Sequence, residues 1–329
     1  MQNFDLIQRF YFADKPFRGA VVKLQNSFIE ALNGHDYPAS VNALLGEGLA
    51  ATALMGIHLK HNARISLQAR GNGAVQLLMT EANIQKSQMA EIELPQHGIR
   101  AVARIDSEAM QQIPFNLQSS AAENTATTHA NHNYLDLLGE GHLAITVEPE
   151  EGERYQGIVA ADEGSLKLCL ESYFNQSEQL PTILLLATNE VCAAGILLQR
   201  MPHEDSYGLT PEQKSTGDPV WDNLWQELST LLATLSDQEL MDLPVDEVLY
   251  RLFHEHQVKL SEPDPMVFEC SCSYQRTAET LKKINALEIE TILEEDGEII
   301  MDCEFCSSRY RFSPQDIAQL GLSFEQTRH

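Results

Sequence analysis

Four cysteines near the C-terminus have the spacing of a metal site. Cys270 and Cys272 form C-S-C, and after thirty intervening residues Cys303 and Cys306 form C-E-F-C, so four of the chain's six cysteines fall in its last 60 residues. Two thiolates two or three residues apart can face one ion from a single tight turn, and a second pair closes the coordination sphere from a distant point in the chain. Four soft thiolates with no open position suit one Zn2+ per chain, in a structural or switching role rather than as a Lewis acid. A disulfide-dense exported scaffold would be short. This chain has 329 residues, and its N-terminus, MQNFDLIQRFYFADK, is charged throughout with no apolar signal-type run. A reducing, cytoplasmic setting is expected. The other two cysteines read as packing. Leu166, Cys169, Leu170 and Tyr173 fall at i, i+3, i+4 and i+7, the apolar face of a helix, and Cys192 lies in the mostly apolar run VCAAGILL.

Other chemistry is sparse. No G-x-S-x-G, H-E-x-x-H or Walker loop is present, and the chain reads as a non-enzyme. His129 and His132 have H-x-x-H spacing, but they sit in a polar, aperiodic stretch (116–133) without a supporting carboxylate motif, and read as part of a solvated loop. His254 and His256 read as surface residues at a helix end. Twenty-two Lys+Arg against 48 Asp+Glu give a net charge of −26, which repels phosphate backbones and anionic lipid heads. The tail itself carries only Arg276, Lys282, Lys283, Arg309, Arg311 and Arg328 against 12 acids, which counts against a zinc-module nucleic-acid binder. The lack of a thioredoxin-like βαβ context around either cysteine pair counts against a thiol oxidoreductase. Apolar residues at 43% exclude wholesale disorder. The longest unbroken apolar stretch, 191–198, is far short of the roughly 18 residues of a membrane span.

Residues 1–202 read as one α+β core. Helices are expected over 20–33, where Val21, Leu24, Phe28, Ala31 and Leu32 lie near helical spacing, and over 38–60, with Val41, Leu44, Leu45 and Leu49. Ile65, Leu67 and Ala69 alternate with polar residues, Arg70-Gly71-Asn72-Gly73 turns the chain, and Val75, Leu77 and Met79 alternate back, the signature of a hairpin. Further strands are expected over 99–105, 142–147, 156–159, 183–188 and 195–201. Strands in runs rather than in strict alternation with helices indicate α+β.

From 203 to 265 the character changes, with 14 Asp+Glu against only Lys214, Arg251 and Lys259. The segment nevertheless has strong helix signals. Asp218 is a good N-cap with Pro219 at the first helical position. Trp221, Leu224, Trp225, Leu228, Leu231, Leu232 and Leu235 form one apolar stripe. Ser236 with Glu239 makes a capping box, and Pro244 opens a helix whose face is Val245, Val248, Leu249, Leu252 and Phe253. A stripe that must be buried, on a scaffold that repels itself, makes a marginally stable segment of the kind that moves.

Residues 266–329 read as a small metal module. Short helices are expected over 278–284, capped by Thr277, and over 288–293. Strands over 298–301 and 310–312 flank the second cysteine pair, and Ser313-Pro314 with Asp316 opens a last helix stopped at Gly321. Large apolar residues are few, so the metal must supply much of the stability.

Over nearly its whole length the sequence resembles the heat shock protein 33 family of redox-regulated bacterial chaperones. The resemblance rests on CSC and CEFC with EDGEI just ahead of the second pair, and on HDYP (35–38), EGERYQGIV (151–159), SEQLPT (177–182) and LLQRMP (197–202). It implies a client-binding and dimerisation core (1–202), a metastable helical linker (203–265) and a zinc-binding redox switch (266–329). The implied function is an ATP-independent holdase that protects unfolding and oxidatively damaged proteins from aggregation. Such a chaperone is inactive when reduced and zinc-bound. It is activated when its four cysteines form two disulfides, zinc leaves and the linker unfolds. Carried over by position, the ligands are Cys270, Cys272, Cys303 and Cys306, the disulfides Cys270–Cys272 and Cys303–Cys306, and the activated form a homodimer. Cys169 matches the family's non-ligand core cysteine. Cys192 and the 116–133 loop fall outside the family pattern.

Overall fold

The computed structural model describes residues 4–86, 96–113, 137–162, 164–202 and 219–321. These belong to two compact units, Met1–Leu32 with Asp36–Phe268, and Asn33–His35 with Glu269–His329. The Asp218 cap, the 116–133 stretch, His129 and His132 lie outside the described residues.

In the larger unit β1 (Leu6–Phe12) and β2 (Phe17–Leu24) lead into α1 (Asn26–Leu32) and α2 (Ala39–Ile57). The expected hairpin follows as β3 (Ala63–Gly71) and β4 (Val75–Ile84), extended by β5 (His97–Ile105), α3 (Ser107–Gln112), β6 (Gly141–Pro149) and β7 (Tyr155–Ala160). Then come α4 (Leu166–Tyr173), a second hairpin of β8 (Thr182–Thr188) and β9 (Ala193–Arg200), three helices α5 (Pro219–Leu232), α6 (Asp237–Asp242) and α7 (Val245–Phe253), and two strands, β10 (Val258–Leu260) and β11 (Asp264–Phe268). The sheet order is β7-β6-β3-β4-β5-β11-β1-β2-β9-β8, with β10 also on β1. Pairing is antiparallel except where β11 runs parallel to β5.

Helix α2 is the centre of this unit. It is apolar all round, as a helix enclosed by protein must be, and 94% of its apolar window is buried. By length and composition it is apolar enough to cross a membrane. Ser40, Asn42, Glu47 and Thr52 interrupt its apolar run, which is why the longest unbroken stretch falls elsewhere. Its glycines admit the strands: a Cβ at Gly46 would lie 2.7 Å from Thr188 Cγ2, and one at Gly56 2.6 Å from Ile84 Cγ1.

The two halves of the sheet differ in their second face. Along β3 and β4, Arg64, Ser66 and Gln68 alternate with buried Ile65, Leu67 and Ala69, and the polar face carries ion pairs Arg64–Glu148 and Arg100–Glu81. Strands β1, β2, β8 and β9 instead bury apolar residues on both sides. Ile7, Ala20, Val22, Leu184 and Leu197 pack toward α2. Leu6, Phe10, Phe12, Phe17, Val21, Leu185, Ile196 and Leu198 pack on the opposite side, against α5, α6 and α7.

Several local expectations are corrected. The residues read as a helix over 20–33 are the strand β2 followed by α1. Double-sided burial removes the period-2 signal from β2, and Val21, Leu24, Phe28 and Ala31 align by coincidence across the junction. Strands β1, β10 and β11 had no expected counterpart. His256 is not a surface residue: its side chain is 9% exposed, with Nε2 3.0 Å from Glu227 and Nδ1 3.0 Å from Lys15 Nζ.

The smaller unit contains α8 (Tyr274–Leu281), α9 (Ala286–Asp296), a hairpin of β12 (Ile299–Asp302) and β13 (Arg309–Phe312), and α10 (Pro314–Gln319). Helix α8 starts one turn earlier than expected because Ser273, not Thr277, caps it, accepting from the Arg276 amide. The last helix opens at Ser313-Pro314 as expected, and Ser313 with Asp316 forms a capping box there. Among the described residues the buried core here is Ala278, Leu281, Ile289, Ile299, Phe312 and Ile317.

Candidate metal centre and the covered sheet face

Cys270 and Cys272 lie on the short segment between β11 and the α8 cap. Cys303 and Cys306 form the knuckle joining β12 to β13. The knuckle closes through Ser307 N–H to Cys303 O (2.8 Å) and Cys303 N–H to Ser308 O (2.9 Å), with Ser307 in the left-handed region at φ 54°. At its base Arg309 clamps Asp302 through Nε and Nη2 at 2.8 and 2.9 Å. All four sulfurs lie within 4.8 Å of one another, with Cys270–Cys303 at 3.6 Å and Cys272–Cys306 at 3.3 Å. A tetrahedral site with Zn–S of about 2.3 Å places its sulfurs roughly 3.8 Å apart, so the cluster is within reach of that geometry.

Electrostatics favour a cation in the cluster. Burial pushes the Cys270 thiol up to about 12, and Cys303 also moves up. At Cys306 burial also pushes upward, but the Ser308 hydroxyl and amide with Cys272 and Cys270 outweigh it and bring the thiol to about 7. Like charges this close cannot all ionise unaided, and a divalent cation is what makes four thiolates compatible. Two further polar groups touch the sulfurs, Tyr310 OH donating to Cys272 Sγ at 3.1 Å and Ser308 Oγ 3.2 Å from Cys306 Sγ. Sequence reasoning did not single these out, although Ser308 follows Cys306 by two residues. All four cysteines are partly exposed, so a small oxidant can reach them.

The apolar stripe on α5 lies on β2 and its neighbours. Leu228 and Leu232 are fully buried and Leu235 nearly so, while Trp221, Leu224, Trp225 and Leu231 are half-buried at the edge. Trp225 stacks on Phe17 at 6.0 Å and 11°, and Trp221 meets the same ring edge-on. Phe253 of α7 packs on Phe10 and Phe12. The outer surface of these helices is acidic, and Arg251 bridges Glu239 and Glu247 at 3.1 and 2.7 Å.

The family model for the Hsp33 protein matches residues 5–313. The chain belongs to the Hsp33 family. The 33 kDa chaperonin of Shewanella oneidensis is 37% identical over 316 residues, covering 96% of this chain and 95% of its own. That of Pseudomonas aeruginosa is 40% identical over 321 residues, covering 97% and 95%. The crystal structure of the 33 kDa chaperonin (heat shock protein 33 homolog) from Thermotoga maritima has the same fold, with a TM-score of 0.70 at 17% identity over 96% of this chain and 97% of that one.

In this Hsp33 chain Cys169 and Cys192 stand apart from the cluster. Cys169 is fully buried on α4, and Cys192 packs with the α5–α7 side, where burial pushes its thiol up to about 11. Lys23 shares that side. It is 1% exposed on β2 and donates from Nζ to Met241 O (3.2 Å) and Leu243 O, carbonyls at the C-terminal end of α6. Burial lowers it from 10.5 to about 8 against the pull of Cys192 and Asp242. The unfolded chain therefore binds the Lys23 proton more tightly, and this group adds stability as pH rises from about 8 to 10.5. Denaturant unfolding across that window should show a smaller pH slope in Lys23→Met than in the parent. Parallel slopes would mean that Lys23 titrates normally.

Proposed function

We propose that this protein is a redox-regulated, ATP-independent holdase that keeps unfolding and oxidatively damaged proteins from aggregating in the cytoplasm, acting when activated as a homodimer. The observation that carries the reading is the two-sided burial of β1, β2, β8 and β9. Acidic helices cover one of those apolar faces, and the same segment runs through β10 and β11 directly into the first cysteine pair. The family membership and the 33 kDa chaperonin relatives point the same way.

Cys270, Cys272, Cys303 and Cys306 are the ligands in this reading. Bound by them, zinc keeps the thiolates ionised at neutral pH and ties the two knuckles together. A peroxide oxygen takes an electron pair from one thiolate to give a sulfenic acid and hydroxide. The neighbouring thiolate then attacks that sulfur, forming the disulfide and expelling the second oxygen as hydroxide. Two such events, Cys270–Cys272 and Cys303–Cys306, consume two equivalents of peroxide and remove all four donors. The smaller unit, with six buried core side chains, then loses its fold. Strand β11 ends one residue before Glu269 and is held by two residue pairs to β1 and three to β5, so these short pairings alone must hold it once the smaller unit is lost. Helices α5–α7, already opposed by their own charge, come away and leave Phe10, Phe12, Phe17 and Ile196 open to clients. The net negative charge keeps the resulting complexes soluble.

Light scattering from a thermally unfolding client tests this directly. Without nucleotide, peroxide-oxidised protein should suppress aggregation strongly and reduced, zinc-loaded protein weakly. Equal suppression by both forms would refute the switch.

A further inference from the structure

On the α2 side of the sheet, away from α5–α7, is a cleft of about 110 Å3 whose lining includes Arg18, His58, Tyr173, Phe174, Glu178 and Gln199, the rest being mainly aliphatic side chains of α2, β3 and β6. Its polar groups are unusual for a chain of charge −26. Arg18 gives Nε and Nη2 to a single neutral acceptor, Gln199 Oε1, at 3.0 and 2.7 Å, and it has no carboxylate partner among the described residues. Gln199 in turn is fixed by Thr182 Oγ1 at 3.0 Å. Arg18 Nη1 is left to serve the cleft. Beside it His58 Nε2 is buried without a partner, although a buried polar nitrogen normally has one. The one carboxylate of the lining, Glu178, is exposed and accepts from Tyr173 OH at 2.9 Å.

We propose that this cleft binds a small monocarboxylate, its anionic head between Arg18 Nη1 and His58 Nε2 and its short apolar tail against the aliphatic wall. The polar half explains the charge preference: a partly buried guanidinium with no carboxylate partner among the described residues and an unpartnered imidazole nitrogen, which donates in its Nε2–H tautomer, are complementary to a carboxylate. The apolar half sets the size, since a cavity of roughly 150 Å3 holds benzene. A body of four or five carbons fits. Nothing in this site overlaps the cysteines or the covered face, so occupancy is independent of the proposed switch.

Ligand-observed NMR titration of the full-length reduced protein with pentanoate, against pentanol and pentylamine, provides the test. Pentanoate should bind best of the three. Arg18→Gln should weaken it by about tenfold or more, the usual cost of losing a charged hydrogen bond. Glu178→Gln, an exposed change that does not threaten the fold, should tighten it several-fold by removing the one repelling charge. Preference for pentylamine, equal binding of all three probes, no binding at millimolar concentration, or a pentanoate affinity left unchanged by Arg18→Gln or by Glu178→Gln would each overturn the assignment.

Discussion

Stripping the metal from fully reduced protein with a strong chelator is expected to unfold residues 269–321 while the sheet of the larger unit stays folded. The six-residue core of the smaller unit includes one alanine, and its hairpin has only four residue pairs. Units of this size rarely hold together on a core alone. A structural zinc site contributes on the order of 10–16 kcal/mol at neutral pH, comparable with the whole stability of a domain at about 5–15 kcal/mol. The Arg309–Asp302 clamp and the Ser313–Asp316 box are too exposed to compensate. Loss of amide protection throughout α8–α10 and β12–β13, reversed by added zinc, is the expected observation. Protection that survives the chelator would show that the fold does not need the ion, and zinc retained by a Cys303→Ser/Cys306→Ser chain would show that these are not its ligands.

The second large effect falls on the helices over the sheet. In reduced, zinc-loaded protein, Trp225→Ala with Leu228→Ala is expected to raise protease sensitivity between residues 219 and 265 and to activate the chaperone partly, without oxidant. Leu228 is fully buried, and truncating such a leucine costs about 2–5 kcal/mol. Trp225 loses its stack on Phe17, a smaller effect because the ring is half-exposed. A segment with an acidic outer face has little reserve, and a shift of about 5.5 kcal/mol carries a two-state equilibrium from 1:99 to 99:1. Cleavage and client protection should rise together if the sheet face holds clients. If the stripe itself grips them, cleavage would rise while protection fell. Unchanged cleavage would show that α5–α7 is an ordinary stable subdomain.

The features legible in the sequence are those that local chemistry dictates. The cysteine spacing needs no tertiary information, and the capping boxes at Ser236–Glu239 and Ser313–Asp316 are complete within four residues. The β3–β4 hairpin was legible because one of its faces meets water and preserves the alternation. Where both faces are buried the pattern disappears. The run AVVKL of β2 has apolar residues on both sides of the sheet, and β1 mixes Ile7 toward α2 with Phe10 and Phe12 toward α7. The stripe of α5 was visible, but its partner was not, because nothing in a stripe says which surface it meets. Lys23 shows the same limit: a lysine in an apolar run looks like a solvated edge until the carbonyls of Met241 and Leu243 appear over it. Arg18 and His58 are 40 residues apart in sequence and meet only because β2 and the end of α2 line one cleft.

Hydrogen exchange measured on the reduced and the oxidised chain, helix by helix, tests the central claim most directly. Oxidation at Cys270, Cys272, Cys303 and Cys306 should abolish protection in α5, α6 and α7 and in the smaller unit, while the amides of α2, β3, β4 and β6 keep theirs. Protection of α5–α7 that is the same in both forms, in a sample whose four cysteines are shown to be oxidised, would mean that the sheet face stays covered and that clients are held by some other surface.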